Sequence, residues 1–353
     1  MQGPSSEISA SCPGQAPLVS VVIPAYNSSR FIVAAVESVL AQTYSAFEII
    51  VVNDGSPDTL ELEAALRPYS PHLRYLKQEN RGPSATRNLG VREATGRYVA
   101  FLDSDDVWLP HHLADQMRYL EAGELGLVYS NNSQIDDEGY AQNAFDRVPQ
   151  DGPVTLESLL AERCTINTSS VVVLRQALLN AGLFDEAMRR CEDFDLWLRL
   201  AANGVRMAYD PGIQIQHRLA NGLSSDQELM KRARMEVYRK ALASLRLTGG
   251  QTAIVQSKIR ELEKELEIEA AKRHLKAGAY DEALAAVERA RAFSADRRLG
   301  FAGKALRHCP ALFRWCYGHY VEWLQMYKRR RRGEKRQMAG SSGLAIRAQA
   351  GDR

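Results

Sequence analysis

This sequence is poor in cysteine and has no long apolar run or phosphate loop. Its 353 residues hold 5 cysteines, Cys12, Cys164, Cys191, Cys309 and Cys316. Their spacing fits no zinc module, and an odd number argues against a disulfide framework, so reduced thiols in a cytoplasm are expected. No apolar run approaches the length of a bilayer span, which counts against a processive polymerase that exports its own product. Residues 1–17 lack the basic start and apolar core of a signal peptide, and their Ser, Pro and Gly read as a disordered lead-in. There is no Gly-x-x-x-x-Gly-Lys-Ser/Thr, and no Gly-x-Gly-x-x-Gly follows the first strand, which argues against an NTPase and a dinucleotide oxidoreductase. The net charge is only +2, so the whole molecule is no polyanion binder, although Lys328 to Arg336 is almost all basic.

What is present is ordinary globular material, 45% hydrophobic and 25% charged, enough for two domains. The organising stretch is Tyr98-Val-Ala-Phe-Leu-Asp-Ser-Asp-Asp-Val107. An apolar run reads as a strand covered on both faces; it enters a turn with Asp103, Asp105 and Asp106 crowded together. Such carboxylates raise each other's pKa unless a cation sits among them. Mg2+ or Mn2+ would relieve that and hold a phosphate. A solvated acidic turn is the plain alternative.

Upstream, strands are expected at Leu18–Pro24, Phe47–Val52 and Leu73–Lys77, and helices at Arg30–Gln42, Thr59–Arg67 and Gly82–Ala94. This alternation implies a mainly parallel sheet wound with right-handed crossovers. Polar residues end three of the strands: Pro24-Ala-Tyr-Asn27, Asn53-Asp-Gly-Ser56 and Asp103-Ser-Asp-Asp106. The carboxyl ends of parallel strands share one crevice. Tyr26 offers a face for a base, Asp54 an acceptor for a base N–H, and the aspartates offer metal ligands. Downstream come a strand at Leu125–Tyr129, a polar loop at Asn131–Asp151, a helix at Leu156–Ala161, a strand at Thr168–Val173 and a short helix at Arg175–Ala181. Phe194, Leu196, Trp197 and Leu200 then mark an amphipathic helix with Glu192 and Asp193 in its first turn. A carboxylate there either caps the helix or serves as a general base.

These motifs, in this order, resemble the inverting family 2 glycosyltransferases with a GT-A fold, an α/β architecture. The likeness covers Leu18 to Ser224. Its carriers include Val19-Ser-Val-Val-Ile-Pro-Ala-Tyr-Asn27, Glu48-Ile-Ile-Val-Val-Asn-Asp-Gly-Ser56, Asn80-Arg-Gly-Pro-Ser-Ala-Thr-Arg-Asn-Leu-Gly90, Gly182-Leu-Phe-Asp185 and Cys191-Glu-Asp-Phe-Asp-Leu-Trp-Leu-Arg199. The resemblance implies a nucleotide crevice lined by Pro24, Ala25, Tyr26, Asp54, Arg87, Asp103 and Ser104, with Tyr26 and Asp54 on uracil. It implies Asp105 as metal ligand, with His217 as a further diphosphate or metal contact, although His217 stands farther from Ser224 than in many relatives. Asp193 is the implied base, beside Glu192. Arg87 either touches phosphate or pairs with an acid.

The implied reaction is a single displacement. A sugar passes from a nucleoside-diphosphate donor, a UDP-sugar first among them, to a hydroxyl of a cell-surface or lipid-linked glycan with Mn2+ or Mg2+. The polar loop at Asn131–Asp151 and the segment Thr165 to Ser170 are expected to shape the acceptor side. Two other readings are an inactive sugar-nucleotide-binding subunit and a sugar-nucleotide-forming nucleotidyltransferase. The retained Asp105 and Asp193 argue against the first; Ala25-Tyr-Asn-Ser-Ser29, neither Gly-rich nor basic, argues against the second.

The expected domains are a lead-in over 1–17, a catalytic domain over 18–224, a helical region over 225–297 and an aromatic and basic helix with a tail over 298–353. Lys276 to Ala290 resembles the turn and second helix of a tetratricopeptide unit; one unit is too few for a solenoid, so it is expected to pack on the catalytic domain or support a homodimer. Aromatics from Phe313 to Tyr327 precede Arg329-Arg-Arg-Arg332. Over 312–332 this reads as an interfacial helix on an anionic membrane, at the inner face of the cytoplasmic membrane, or as a docked helix with a solvated tail. Nucleic acid is not an expected partner.

Overall fold

The computed structural model describes residues 18–135, 141–145, 152–218, 226–293 and 296–319. The expected lead-in, Ser224 and the Arg329–Arg332 cluster lie outside the described residues. The chain divides into two compact units, Met1–Ile259 and Arg260–Arg353.

The first unit opens with β1 (Val19–Ala25), α1 (Ile32–Leu40), β2 (Phe47–Asp54), α2 (Thr59–Leu66), β3 (Arg74–Gln78), α3 (Pro83–Glu93) and β4 (Tyr98–Phe101). The four strands are parallel, with β1 between β2 and β4 and with Ala25 beside Asn53 and Val22 beside Phe101. Their carboxyl ends therefore share one edge. Val19, Val21, Ile23, Ile49, Val51 and Ala100 are buried with Ile32, Val36 and Leu62 from the helices, as an apolar run covered on both faces requires. Gly90 lets α3 lie against β1: a Cβ there would stand 2.3 Å from Val22 Cγ1.

The rest of the sheet is mixed. Next come β5 (Val107–Trp108), α4 (His112–Ala122), β6 (Leu127–Ile135), β7 (Ala141–Phe145), α5 (Leu156–Leu160), a 3-10 turn at Thr168–Ser170, β8 (Val172–Leu174), α6 (Arg175–Asn180), α7 (Glu192–Ala202) and β9 (Met207–Arg218). The sheet order is β3-β2-β1-β4-β8-β6-β9-β5, with β7 on β6. β8 runs antiparallel to β4 and β6, whereas β9 runs parallel to β6.

Two expectations are corrected here. The polar stretch from Asn131 is not all loop: β6 continues through Asn131 to Ile135 between β7 and β9. Its half-buried Asn, Ser and Gln residues show no apolar alternation. The segment from Thr168 starts as a 3-10 turn before becoming a strand, because Asn167 caps it by accepting from Ser169 N at 3.0 Å.

α8 (Gln227–Ser244) belongs to the first unit. Tyr238 donates to Leu160 O at 2.9 Å, and Lys240 Nζ lies 2.7 Å from Asp185 Oδ2 and 2.9 Å from Asp195 Oδ1. α9 (Gly249–Ala277) straddles the division, and α10 (Tyr280–Ala292), α11 (Arg297–His308) and a helical stretch at 310–319 follow. The second unit has its own core of Leu275, Ala283, Ala286, Val287, Ala290, Leu299 and Leu306.

Candidate active site

The strand ends that composition singled out do meet. After β1, Asn27 turns through a left-handed φ of 51°, and its N–H reaches Ser56 Oγ at 2.7 Å in the loop after β2. Ser29 N donates to Asp58 Oδ2 at 2.8 Å, and Ser56 also contacts Asp58. This latch leaves Pro24 and Ala25 in the sheet and Tyr26 53% exposed at its edge. Asp54 is buried. Its carboxylate accepts from Gln78 Nε2 at 2.7 Å, Arg81 N at 2.9 Å and Gly82 N at 2.8 Å. An ionised carboxylate has about four acceptor positions, so capacity for another donor remains. Gly55 is required beside it: φ is 62°, and a Cβ would stand 2.7 Å from Asn80 N.

The acidic turn after β4 sends its carboxylates to different partners. Asp103 takes a 2.6 Å bond from Arg87, and its N–H donates to Ser169 Oγ at 3.1 Å. Ser104 is buried in the turn. Asp106 is also buried, accepting from Arg218 N at 2.9 Å and lying 3.0 Å from His217 Nδ1. Asp105 is half-buried. Its pKa is pushed up to about 7 by burial and by the charges of Asp106 and Asp103. Burial alone would lower the His217 pKa, but the hydrogen bond to Asp106 and the surrounding aspartates raise it.

α7 brings the other acids. Cys191, at φ 56°, forms its N-cap, a left-handed entry that a non-glycine residue adopts only under constraint. Asp193 accepts from Thr168 Oγ1 at 3.1 Å and from Phe194 N at 2.7 Å. Glu192 is buried, and burial followed by the Asp193 charge raises its pKa.

Two bridges join the acidic turn to α7. Arg87 donates to Asp103 with one terminal nitrogen and to Glu192, at 2.9 Å, with the other. It is buried over Phe184, 5.6 Å from the ring centroid. Each terminal nitrogen meets a carboxylate, the acid pairing that the sequence reading set beside a phosphate contact. Burial would lower its pKa, but Asp103 and Glu192 raise it. The second bridge is the 3-10 turn, where Ser169 holds Asp103 and Thr168 holds Asp193. Neighbouring Asn88 clasps the backbone of Phe184 at 2.9 Å in both directions.

Sequence reasoning missed Asp106 as the partner of His217 and missed Thr168 and Ser169 as anchors. Only the crowding of aspartates hinted at the first, and the segment Thr165 to Ser170 was marked for the acceptor side rather than as an anchor for carboxylates. Among the described residues, no group of three or more His, Cys, Asp or Glu side chains is arranged to hold a metal. The donor set nevertheless suits a hard cation. Such ions at phosphate sites take one or two carboxylates and leave the remaining positions to phosphate and water. Asp105 would supply the carboxylate, and His217, whose Nδ1 lies 3.0 Å from Asp106 Oδ1, would have Nε2 left for the ion.

Residues 20–182 match the model of glycosyl transferase family 2. An uncharacterized glycosyltransferase of Methanocaldococcus jannaschii, MJ1057, is 30% identical over 211 residues, covering 58% of this chain and 72% of the relative. The chain belongs to family 2 of the glycosyl transferases. The Escherichia coli protein WfaP, a UDP-Glc:alpha-D-GlcNAc-diphosphoundecaprenol beta-1,3-glucosyltransferase, is 29% identical over 228 residues, 64% of this chain and 86% of that one. An uncharacterized glycosyltransferase of Rickettsia bellii is 30% identical over 53% of this chain, which spans only 27% of that relative's length. Among solved structures, Staphylococcus aureus TarS in complex with UDP-GlcNAc superposes with a TM-score of 0.58 at 17% identity, covering 80% of this family 2 chain and 92% of that one. Mannosyltransferase PcManGT from Pyrobaculum calidifontis, in complex with GDP-Man and Mn2+, gives 0.57 at 18% identity over 89% and 88%. The fold is GT-A.

Proposed function

We propose that this protein transfers a sugar, with inversion, from a nucleoside-diphosphate donor to a hydroxyl of a glycan acceptor. The observation that carries the reading is the double bridge: Arg87 and the Thr168–Ser169 turn hold the acidic turn and the α7 carboxylates in one site. Asp193 is the base. It takes the proton from the acceptor hydroxyl as that oxygen attacks the anomeric carbon opposite the departing diphosphate. Thr168 and the Phe194 N–H keep its carboxylate turned inward. Tyr26 stacks on the base, and the remaining acceptor position of Asp54 takes a base N–H. Asp105 and His217 are the residues that would hold Mn2+ or Mg2+. When bound, the cation would offset charge building on the diphosphate.

A UDP-sugar donor and a lipid-linked acceptor are the first candidates, supported by similarity to a relative named for that chemistry. Asp193→Asn keeps the size of the side chain but cannot accept the proton. It is expected to slow transfer by at least about 100-fold while leaving UDP affinity, read by calorimetry, unchanged. Wild-type transfer by this variant would remove the base assignment.

A further inference from the structure

The second unit carries an apolar and basic surface made of none of the candidate site's residues. On α11, Leu299, Gly303 and Leu306 are buried against the unit's own core. The opposite stripe, Arg297, Phe301, Lys304 and His308, faces water, with Phe301 69% exposed. The helical stretch at 310–319 repeats the pattern: Phe313 and Tyr317 pack inward, whereas Leu312 and Trp315 are 59% and 62% exposed. From 297 to 319 there is no Asp or Glu. Among the described residues, Arg297, Arg298, Lys304 and Arg314 have no carboxylate partner, whereas on α10 Arg289 meets Glu267 at 2.9 Å and Arg291 meets Glu288 at 2.8 Å.

We propose that these outward faces of α11 and of 310–319 seat the protein on an anionic bilayer. Charge complementarity fixes the sign of the partner. The aromatics point to its kind: a bilayer interface buries large apolar side chains spread along a helix face among cations, as Phe301 and Trp315 are spread here among Arg297, Lys304 and Arg314. The sequence alone pointed to 312–332; the structure adds α11, which lies before it. The inference is independent of donor, acceptor and base.

The test is co-sedimentation of the full chain with vesicles of phosphatidylcholine, with and without phosphatidylglycerol. Binding is expected only with the anionic lipid and should weaken as salt rises. The double variant Phe301→Ser/Trp315→Ser should bind at least about tenfold more weakly, and Lys304→Ala about fivefold more weakly, each with wild-type circular dichroism. UDP affinity should stay unchanged in both, so this result is separable from the transfer reading. Equal binding to neutral vesicles would overturn the proposal. So would variants that bind like wild type, which would assign the contact to residues beyond 319. Retention on DNA or an acidic protein without vesicle binding would overturn it as well.

Discussion

At the scale of single residues, Arg87 decides most. A buried guanidinium with two carboxylate partners is costly to disturb, because removing it strands buried charge. Arg87→Lys keeps the charge but replaces a planar fork with one ammonium that cannot serve Asp103 and Glu192 in the same geometry. We expect a loss of about 3 kcal/mol in stability, read as a shift in urea midpoint. Turnover should fall more than UDP affinity if the proposed base is right, since Arg87 ties Glu192 at the start of α7 to the acidic turn. Asp105 makes a second case, now in pH. Its folded pKa, about 7, lies above the usual carboxylate value near 4. Its contribution is therefore present in acid and is lost as pH rises through about 7. In metal-free protein, Asp105→Asn should melt increasingly above wild type as pH rises through that range. Adding Mn2+ should stabilise wild type and leave the variant unmoved.

At the scale of elements, the end of the sheet away from the site is pinned by one acid. Glu48 on β2 accepts from Ser20 Oγ of β1 at 2.6 Å, and from Thr95 N at 2.7 Å and Thr95 Oγ1 at 2.6 Å just before β4. Burial alone would raise its pKa, but these bonds and Arg74 lower it. Its stabilisation is thus present above the ordinary carboxylate pKa and is lost as pH falls through the lowered one. Glu48→Ala should cost about 2 kcal/mol at neutral pH, and less in acid, with donor affinity unchanged; matched urea titrations at the two pH values check this. The parallel strands were legible because β1, β2 and β4 are continuous apolar runs ending in polar turns. β9 was not. Its Asp210-Pro-Gly212 interrupts the apolar pattern and shifts its register with β6, and its pairing depends on strands far away in sequence. α4 escaped notice although Leu113, Met117 and Leu120 face the core at helical spacing. The same divide runs through the site. Tyr26, Asp54, Asp105 and Asp193 stand at ends of elements the sequence announces, whereas the Thr168–Ser169 anchor exists only once the turn after β4 and the start of α7 both meet it.

At the scale of the whole molecule, two units with separate apolar cores are expected to melt in two steps. A ligand that binds only the folded first unit raises that step alone. Calorimetry with UDP and Mn2+ should move one transition and leave the other in place; joint movement would contradict separate cores. Among the described residues, the free cysteines divide the same way. Cys164 and Cys191 are buried in the first unit, whereas Cys309 and Cys316 are exposed in the second. Burial and the charge of Asp193 push the Cys191 thiol up to about 12, so it is almost never the thiolate that alkylating reagents consume. Once Cys12 is replaced by Ser, a maleimide dye offered to the native chain therefore reaches Cys309 and Cys316 before Cys191, and a fluorophore can report from the second unit while α7 stays unlabelled.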